Sequence, residues 1–195
     1  MATTATPMGA EPVNTLSASG SYTGKVRHIK IANAYGTAIF YGDFVKLVAA
    51  GTLEKAAVTT SVVAGTVGIF VGCSYTDPST SQLTFNQTFP ASTAADDIMA
   101  YVVDDPKLVF QMQGDEAIAQ TGLGNNVSAV STAGSTTIGR SKNALDGGSI
   151  ATTNTLPLRI VEFVDGPTST VGDTYTDCLV TYLPLSHAYE TKLGV

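Results

Sequence analysis

One stretch of the chain, residues 65–113, limits the fold more than any other. Four runs rich in β-branched and aromatic residues follow one another there, and turns that contain proline interrupt them at residues 77–78, 90–91 and 104–106. β-Branched and aromatic side chains pack well on a pleated sheet, and Asp-Pro and Pro-Ala steps favour turns. The stretch therefore predicts four strands and a β core.

The first of these runs predicts two different faces. Residues 67, 69 and 71 are apolar and share one face of the strand, whereas Phe70 stands between Gly68 and Gly72 on the other face. Glycine in a strand often marks a close approach of another group. We expect these two glycines to leave room for something large against the second face.

Three further strand signals fit the same architecture. Residues 36–57 read as a hairpin with breaks at Gly42 and Gly51, where we expect positive φ angles. Residues 156–164 and 177–185 are rich in β-branched and aromatic residues and are bounded by Gly and Pro signals, so they predict the strands that close the core.

Helical signals are weak throughout the chain. Acidic residues near the start of residues 114–120 favour one short helix there. No longer segment has a helical period, so a parallel sheet with crossover helices is disfavoured. The predicted fold is mainly β: a single compact β-barrel or β-sandwich-like domain with at most one short helix and a flexible N-terminal arm.

The arm is predicted to comprise residues 1–24, and the β domain residues 25–195. The arm contains a single charged residue and has neither a strand period nor a helical period. Its spaced apolar residues are not needed in a purely solvating segment. A disordered terminus is the alternative, but these residues favour an arm that orders on a partner. Its candidate binding residues are Met8, Val13, Leu16 and Tyr22.

Within the domain, residues 124–155 are rich in Asn, Ser, Thr and Gly. They predict a long, loosely structured excursion over the surface, with a weak strand near residues 127–131 and another near Leu145.

A short basic strand follows the arm. Lys25, Arg27 and Lys30 lie within residues 25–33, which alternate in polarity, but no stacking aromatics accompany them and the whole chain has a formal net charge of −6. Binding to nucleic acid or to anionic membranes requires a positive field. We predict that the chain binds neither, and that the three basic residues form a solvated strand face or anchor an acidic protein neighbour.

Reactive side chains are not grouped in the sequence. His28 and His187 lie near opposite ends of the chain, and neither has a His, Cys or carboxylate partner at ligand spacing. The Asp doublets at residues 96–97 and 104–105 lack the spacing of a calcium loop, which leaves a turn role favoured over cation binding. We predict no catalytic residue, no metal site and no cofactor, and we do not expect an enzyme.

Both cysteines, Cys73 and Cys178, lie in apolar β-runs and are predicted to be buried thiols rather than a disulfide. The N-terminus lacks the basic and apolar regions of a secretion signal, and no run approaches the roughly 20 apolar residues that span a bilayer. We therefore expect a soluble protein made in the cytosol, a compartment that keeps thiols reduced.

Four sequence runs between residues 36 and 190 together resemble a known family. The runs are TAIFYGDFVKL, VGIFVGCSYTDPSTSQLTFNQTFPAS, AYVVDDPKLVFQMQ and GDTYTDCLVTYLPLSHAYE. They are similar to a virion structural protein that recurs in tailed bacteriophages and is placed on the capsid as a decoration or cement protein. The most specific pieces are VGCSYTDP with its following Phe-Pro-Ala turn, AYVVDDP and GDTYTD. These are fold motifs, so they bring no functional residue with them.

The resemblance implies a virion protein that is synthesised in the host cytoplasm and binds the outer surface of the capsid. Its role there is to stabilise the shell by bridging subunits of the major capsid protein. Decoration proteins of this kind resemble trimers that sit at local threefold positions of the capsid, so the resemblance also implies a homotrimer.

The alternative is a head-fibre or receptor- or glycan-binding virion protein. Such a protein uses exposed aromatic side chains, for which the candidates are Tyr75, Phe89, Tyr101 and Tyr175. The absence of Trp from the chain weakens a sugar-stacking platform.

Overall fold

The computed structural model describes residues 4–17, 22–59, 65–191 and 194. Within these residues, the regular structure consists of twelve strands and two short 3-10 turns. The strands are β1 Glu11–Thr15, β2 Arg27–Lys30, β3 Phe44–Leu47, β4 Leu53–Lys55, β5 Thr66–Thr76, β6 Leu83–Asn86, β7 Met99–Val103, β8 Leu108–Gln113, β9 Asn126–Val130, β10 Ala144–Ala151, β11 Leu158–Phe163 and β12 Asp177–Tyr182.

The strands form two sheets that are antiparallel throughout. Sheet A has the order β1-β8-β12-β11-β9-β10. Sheet B has the order β2-β7-β5-β3-β4, and β6 pairs with the C-terminal half of β5. The predicted fold class, mainly β and sandwich-like, is confirmed.

Helical structure in the described residues is limited to the turns Gln120–Gly122 and Pro184–Ser186. The helix predicted over residues 114–120 does not form. The N–H of Gly114 bonds to the carbonyl of Thr176, and the N–H of Asp115 bonds to that of Leu145. These long-range bonds hold the segment extended against sheet A, and the 3-10 turn begins only at Gln120.

Two apolar clusters fill the molecule. The between-sheet cluster joins residues of both sheets, and its largest members include Phe44, Phe110 and Tyr182. The rings of Phe44 and Phe110 meet edge to face with their centroids 5.6 Å apart. The sheet-B cluster lies on the other face of sheet B, where Ile31, Ile39, Phe89 and Ile98 from connecting segments cover the strands.

The central strand β5 does not follow the predicted alternation. Ile69 packs in the between-sheet cluster, whereas Val67 and Phe70 pack in the sheet-B cluster. The pairing register shifts where β5 meets β3, and again where it meets β7. A Cβ on Gly68 would collide with the carbonyl oxygen of Val103. The space beside Gly68 is therefore filled by the backbone of β7 and not by a separate large group.

The predicted hairpin is confirmed from residue 44 onward, whereas Ile39 and Tyr41 before its break at Gly42 form only isolated bridges. β3 and β4 pair antiparallel, and the turn between them contains Gly51 with a φ of +73°. Gly42 also lies in the left-handed region, with a φ of +87°. A side chain there would approach the carbonyl oxygen of Met8 to 2.8 Å, so both backbone conformation and space require glycine.

The N-terminal residues are not a free arm, which corrects the sequence prediction. Glu11–Thr15 form β1 and pair with β8 at one edge of sheet A, with a bulge between Pro12 and Asn14. Ala10 is fully buried, and its N–H donates to the carbonyl oxygen of Gly42 at 2.9 Å. The exposed edge of β8 provides this segment with a partner inside the chain. Parts of the predicted arm, residues 1–3 and 18–21, lie outside the described residues.

The predicted surface excursion is also more ordered than its composition indicates. Its two weak strand signals correspond to β9 and β10, which pair with each other and form the opposite edge of sheet A. Val127, Ala129 and Leu145 are buried in the between-sheet cluster. The prediction of a loose excursion is wrong for these strands, because alternate apolar side chains give them a buried face.

A buried carboxylate connects the start of β3 to the segment before β10. Asp43 is fully buried, and Lys55 Nζ lies 2.8 Å from its Oδ2. The hydroxyl of Ser141 donates to Oδ1 at 2.7 Å, and the amide of Asn143 donates to the same oxygen at 3.3 Å. The N–H of Phe40 completes the set at 2.9 Å. Every lone-pair region of this carboxylate is used within the chain.

Candidate partner-binding surface

The predicted apolar anchors lie along the β1 edge of sheet A. Val13 lies in the bulge of β1, and Met8 and Leu16 flank the strand. All three side chains are exposed, with 51% of Met8, 38% of Val13 and 55% of Leu16 accessible. Tyr22 differs, because it is partly buried and packs against the between-sheet cluster. The β1 edge therefore presents three apolar side chains to solvent.

The backbone beneath these side chains is held by the rest of the fold. The N–H of Leu16 donates to the carbonyl oxygen of Lys107 at 2.8 Å, and the hydroxyl of Thr15 donates to Asp105 at 2.9 Å. Glu11 forms an ion pair with Arg140. A partner that binds at this edge meets a surface that is already ordered, which lowers the entropic cost of association.

A groove of about 540 Å³ lies beside the β1 edge and brings together several predicted residues. Its lining includes Tyr22, Lys25, Arg27, Asp104, Asp105 and Tyr189. Arg27 Nε lies 2.5 Å from Asp104 Oδ2, and the guanidinium carbon lies 5.2 Å from the centroid of the Tyr189 ring. Burial raises the pKa of the Tyr189 hydroxyl, and the nearby Asp104 carboxylate raises it further.

The charges in this groove are balanced, since Lys25 and Arg27 face two aspartates. Such a groove does not favour a polyanion over other partners, and it suits a protein surface that carries both signs of charge. Lys30, the third predicted basic residue, does not line the groove. It lies at the far end of β2, opposite Met99 of β7, and is exposed.

A second exposed apolar surface lies on sheet B, and the sequence reasoning missed it. We call Leu83, Phe85 and Met99 the β6 patch; their exposed fractions are 62%, 69% and 39%. Phe85 and Met99 both stand opposite Ser74 of β5, on its two sides, so they share one face of the sheet. Leu83 lies two residues from Phe85 and shares that face. The signal in the sequence is the complete absence of charge from residues 78–95.

The aromatic residues predicted for a glycan-binding alternative are mostly in the core. Phe89 is fully buried and Tyr75 is 6% exposed, both in the sheet-B cluster. Tyr101 and Tyr175 are only partly exposed. The expectation that these four rings are exposed on loops is therefore wrong for Tyr75 and Phe89, because each side chain points into the sheet-B cluster.

The histidines stand in different environments. His28 is exposed on β2, and its ring centroid lies 4.6 Å from that of Tyr101. His187 is fully buried between the rings of Tyr182 and Tyr189. Burial lowers the pKa of His187 below its ordinary value of 6.5, while the backbone of Val67 opposes that shift.

The carboxylates of the Asp doublets bond to protein groups. Asp97 accepts hydrogen bonds from the N–H and the hydroxyl of Thr76, and Asp96 accepts one from the Asn33 amide. Hydrogen bonding to Thr76 lowers the pKa of Asp97. In the part of the chain that the structure describes, no group of three or more His, Cys, Asp or Glu side chains could hold a metal ion.

The two cysteines are free and fully buried, as predicted. Cys73 lies in the sheet-B cluster and Cys178 in the between-sheet cluster. Burial raises the pKa of each thiol to about 12. The thiolate is the reactive form of cysteine, so neither residue is suited to nucleophilic chemistry at neutral pH.

The chain was compared with models of known protein families, with curated proteins and with solved structures, and no match was found. Among the residues that the structure describes, no helix is long and apolar enough to cross a membrane. The geometry thus offers exposed apolar and mixed-charge surfaces on a hydrogen-bonded β scaffold.

Proposed function

We propose that this chain is a structural protein of a tailed-phage virion. It binds the outer surface of the capsid as a decoration or cement protein, and it stabilises the shell by bridging subunits of the major capsid protein. It acts as a binding protein and not as an enzyme, and its partners include neither nucleic acid nor membrane.

The observation that carries the proposal is the row of exposed apolar side chains on the β1 edge. Met8, Val13 and Leu16 project from backbone that is bonded to the Gly42 turn and to Lys107. Apolar side chains exposed along an edge strand are a feature of protein-binding surfaces. The family resemblance of the four sequence runs supplies the identity of the partner.

The groove beside this edge supports the same role. Its cations and carboxylates suit a protein partner with both charges, and they steer docking more than they strengthen it. Weak contacts of this kind become strong when many copies bind one lattice. A homotrimer at local threefold positions, with its copies side by side, is the assembly that the family resemblance favours.

The proposal is tested with undecorated capsids of the parent virion and a triple variant, Met8→Asp, Val13→Asp, Leu16→Asp. Burial of one such side chain contributes about 1.5–3 kcal/mol, and about 1.4 kcal/mol is a tenfold change in affinity. We expect the triple variant to need more than about tenfold more protein to saturate the capsids. Co-sedimentation with a titration of the protein measures this.

The matched control is Leu123→Asp, Val130→Asp, Ile138→Asp, whose native side chains are 45%, 36% and 55% exposed. It adds the same charge at sites of similar exposure, and we expect nearly unchanged binding. Thermal melting establishes that both variants fold. If the wild-type chain does not co-sediment with capsids, the proposed function is wrong. If both variants bind equally well, the β1 edge is not the contact.

A further inference from the structure

The outer edge of β6 has free backbone groups. In an antiparallel pair, every second residue pair exchanges hydrogen bonds, and the residues between point their N–H and C=O groups away. The N–H of Asp77 donates to the carbonyl of Gln82, so Asp77 and Gln82 form a hydrogen-bonded pair. Counting in steps of two along the register, Tyr75–Thr84 and Cys73–Asn86 are also hydrogen-bonded pairs. The backbone groups of Leu83 and Phe85 therefore point outward, and no strand of the described residues pairs with them.

The same two residues carry the most exposed large apolar side chains of the described chain, at 62% and 69%. Met99 of β7 lies next to them. It is on the same face of β7 as Tyr101 and Val103; Val103 packs in the between-sheet cluster, whereas the Met99 side chain is exposed. Beyond Asn86 the edge is occupied, because Gln87 Nε2 donates to the carbonyl oxygen of Ile138 at 3.0 Å. The free part of the edge is thus centred on Thr84.

Charge distinguishes this edge from the others. Each remaining edge strand of the two sheets carries a charged residue, namely Glu11 in β1, Arg27 and Lys30 in β2, Glu54 and Lys55 in β4, and Asp146 in β10. Charged residues on an edge strand disfavour backbone pairing with another chain, while side-chain contacts such as those proposed for β1 are still possible. β6 has none, and residues 78–95 around it have none. In a chain with a net charge of −6, two identical copies repel each other least through such a segment.

We propose that β6 pairs antiparallel with β6 of a second copy of this chain, about a twofold axis that passes at Thr84. Leu83 of one copy then stands opposite Phe85 of the other. The outward N–H and C=O groups of Leu83 in one copy bond to those of Phe85 in the other copy. The side chains of these two residues pack together on one face of the joined sheet. The contact is isologous, so each copy offers the same surface.

The strength of this contact follows from its size. A four-residue edge buries less than the roughly 800 Å² per partner of a stable complex. The pairing is therefore weak in dilute solution, and it becomes effective where copies are held close together. It does not depend on the proposed capsid function, since its test needs only the isolated chain.

Cross-linking at the twofold axis tests the proposal. Thr84 would face Thr84 of the second copy as a non-bonded pair with Cα atoms about 4.5 Å apart, within the approximate 4.4–6.8 Å range of disulfides. We expect a Thr84→Cys variant to form a covalent dimer under mild oxidation, seen on a non-reducing gel. The control is Thr80→Cys, which places an exposed cysteine in the preceding turn.

The wild-type chain, with Cys73 and Cys178 fully buried, should stay uncross-linked. Adding Phe85→Asp to the Thr84→Cys variant places carboxylates beside the axis, and we expect the cross-linking rate to fall more than tenfold. Thermal melts confirm that each variant is folded. Cross-linking of Thr84→Cys no faster than that of Thr80→Cys overturns the proposal. So does an unchanged rate with Phe85→Asp. If Phe85→Asp weakens capsid binding while Thr84→Cys does not self-cross-link, β6 binds another protein and self-pairing is wrong.

Discussion

Asp43 and Asp104 each bind a cationic side chain, but the two ion pairs differ in how much of the cation is exposed. Asp43 is fully buried and receives four donors from Phe40, Lys55, Ser141 and Asn143. Asp104 begins the loop from β7 to β8 and is 6% exposed. Its cationic partner, Arg27, keeps 54% of its side chain exposed, whereas 14% of the Lys55 side chain is exposed.

The difference separates a region that holds the fold from a region that is open to a partner. A buried ion pair with complete hydrogen bonding is costly to break, because either charge alone remains desolvated. A pair with an exposed member contributes little to stability and stays free to change partners. We therefore expect substitutions near Asp43 to affect folding and substitutions near Asp104 to affect binding.

The largest effect is expected from Asp43→Ala. The substitution leaves Lys55 without its carboxylate and three further donors without an acceptor, so we expect a loss of about 3–5 kcal/mol in the free energy of unfolding. Urea denaturation followed by circular dichroism measures it. A further Lys55→Met substitution removes the stranded charge and should restore part of the loss. Asp97→Ala, which removes an exposed carboxylate, should have a much smaller effect; an equal effect would contradict the comparison.

A smaller effect is expected from pH in the Asp104 region, where His187 lies. Burial lowers the pKa of His187 below 6.5 in the folded chain, so the unfolded chain binds the proton more readily. Its contribution to stability is complete above pH 6.5 and is lost as the pH falls towards the folded pKa. The slope is at most about 1.4 kcal/mol per pH unit for one proton.

His187→Gln keeps a polar side chain but does not titrate, and it should flatten this slope. The carboxylates of Glu190, Asp104 and Asp105 face His187 and act against the lowering of its pKa. Urea denaturation of both proteins across this range gives the two slopes. Equal slopes would show that His187 is not the group responsible.

The smallest effect on stability is expected from Arg27→Ala. The guanidinium is half exposed, so its removal lets water reach the Asp104 carboxylate, and we expect a change of about 0–1 kcal/mol in the free energy of unfolding. Under the proposed function, its effect is instead expected in the association rate with capsids, because exposed charges steer docking. Stopped-flow association at low and high salt measures this. A loss of stability as large as that of Asp43→Ala would remove the distinction between the two regions.

The sequence was most informative where local chemistry decides the structure. Gly42 and Gly51 have the predicted left-handed φ angles, and the hairpin that turns at Gly51 forms. β11 and β12 lie close to the predicted ranges because their β-branched runs are bounded by Gly and Pro. The buried thiols also follow from local composition.

The sequence was least informative where a distant partner decides the structure. β1 has little strand character, and it forms because β8 provides an edge for it. Tyr75 and Phe89 are in the core because connecting segments fold over sheet B, which no local period shows. In the candidate site, the exposure of Met8, Val13 and Leu16 fits their predicted role. The exposure of the β6 patch could not be predicted, because it depends on which face of β5 remains uncovered.

The order of strands along the chain has a consequence for synthesis on the ribosome. β2 to β7 form sheet B from one continuous segment, whereas β8 in sheet A pairs with β1, made first, and with β12, made last. Segments made early fold first during translation. We expect sheet B to form while its face around Ile69 and Val103 still lacks sheet A. β1 remains unpaired until β8 emerges, so the nascent chain is most exposed to misassembly between those two events.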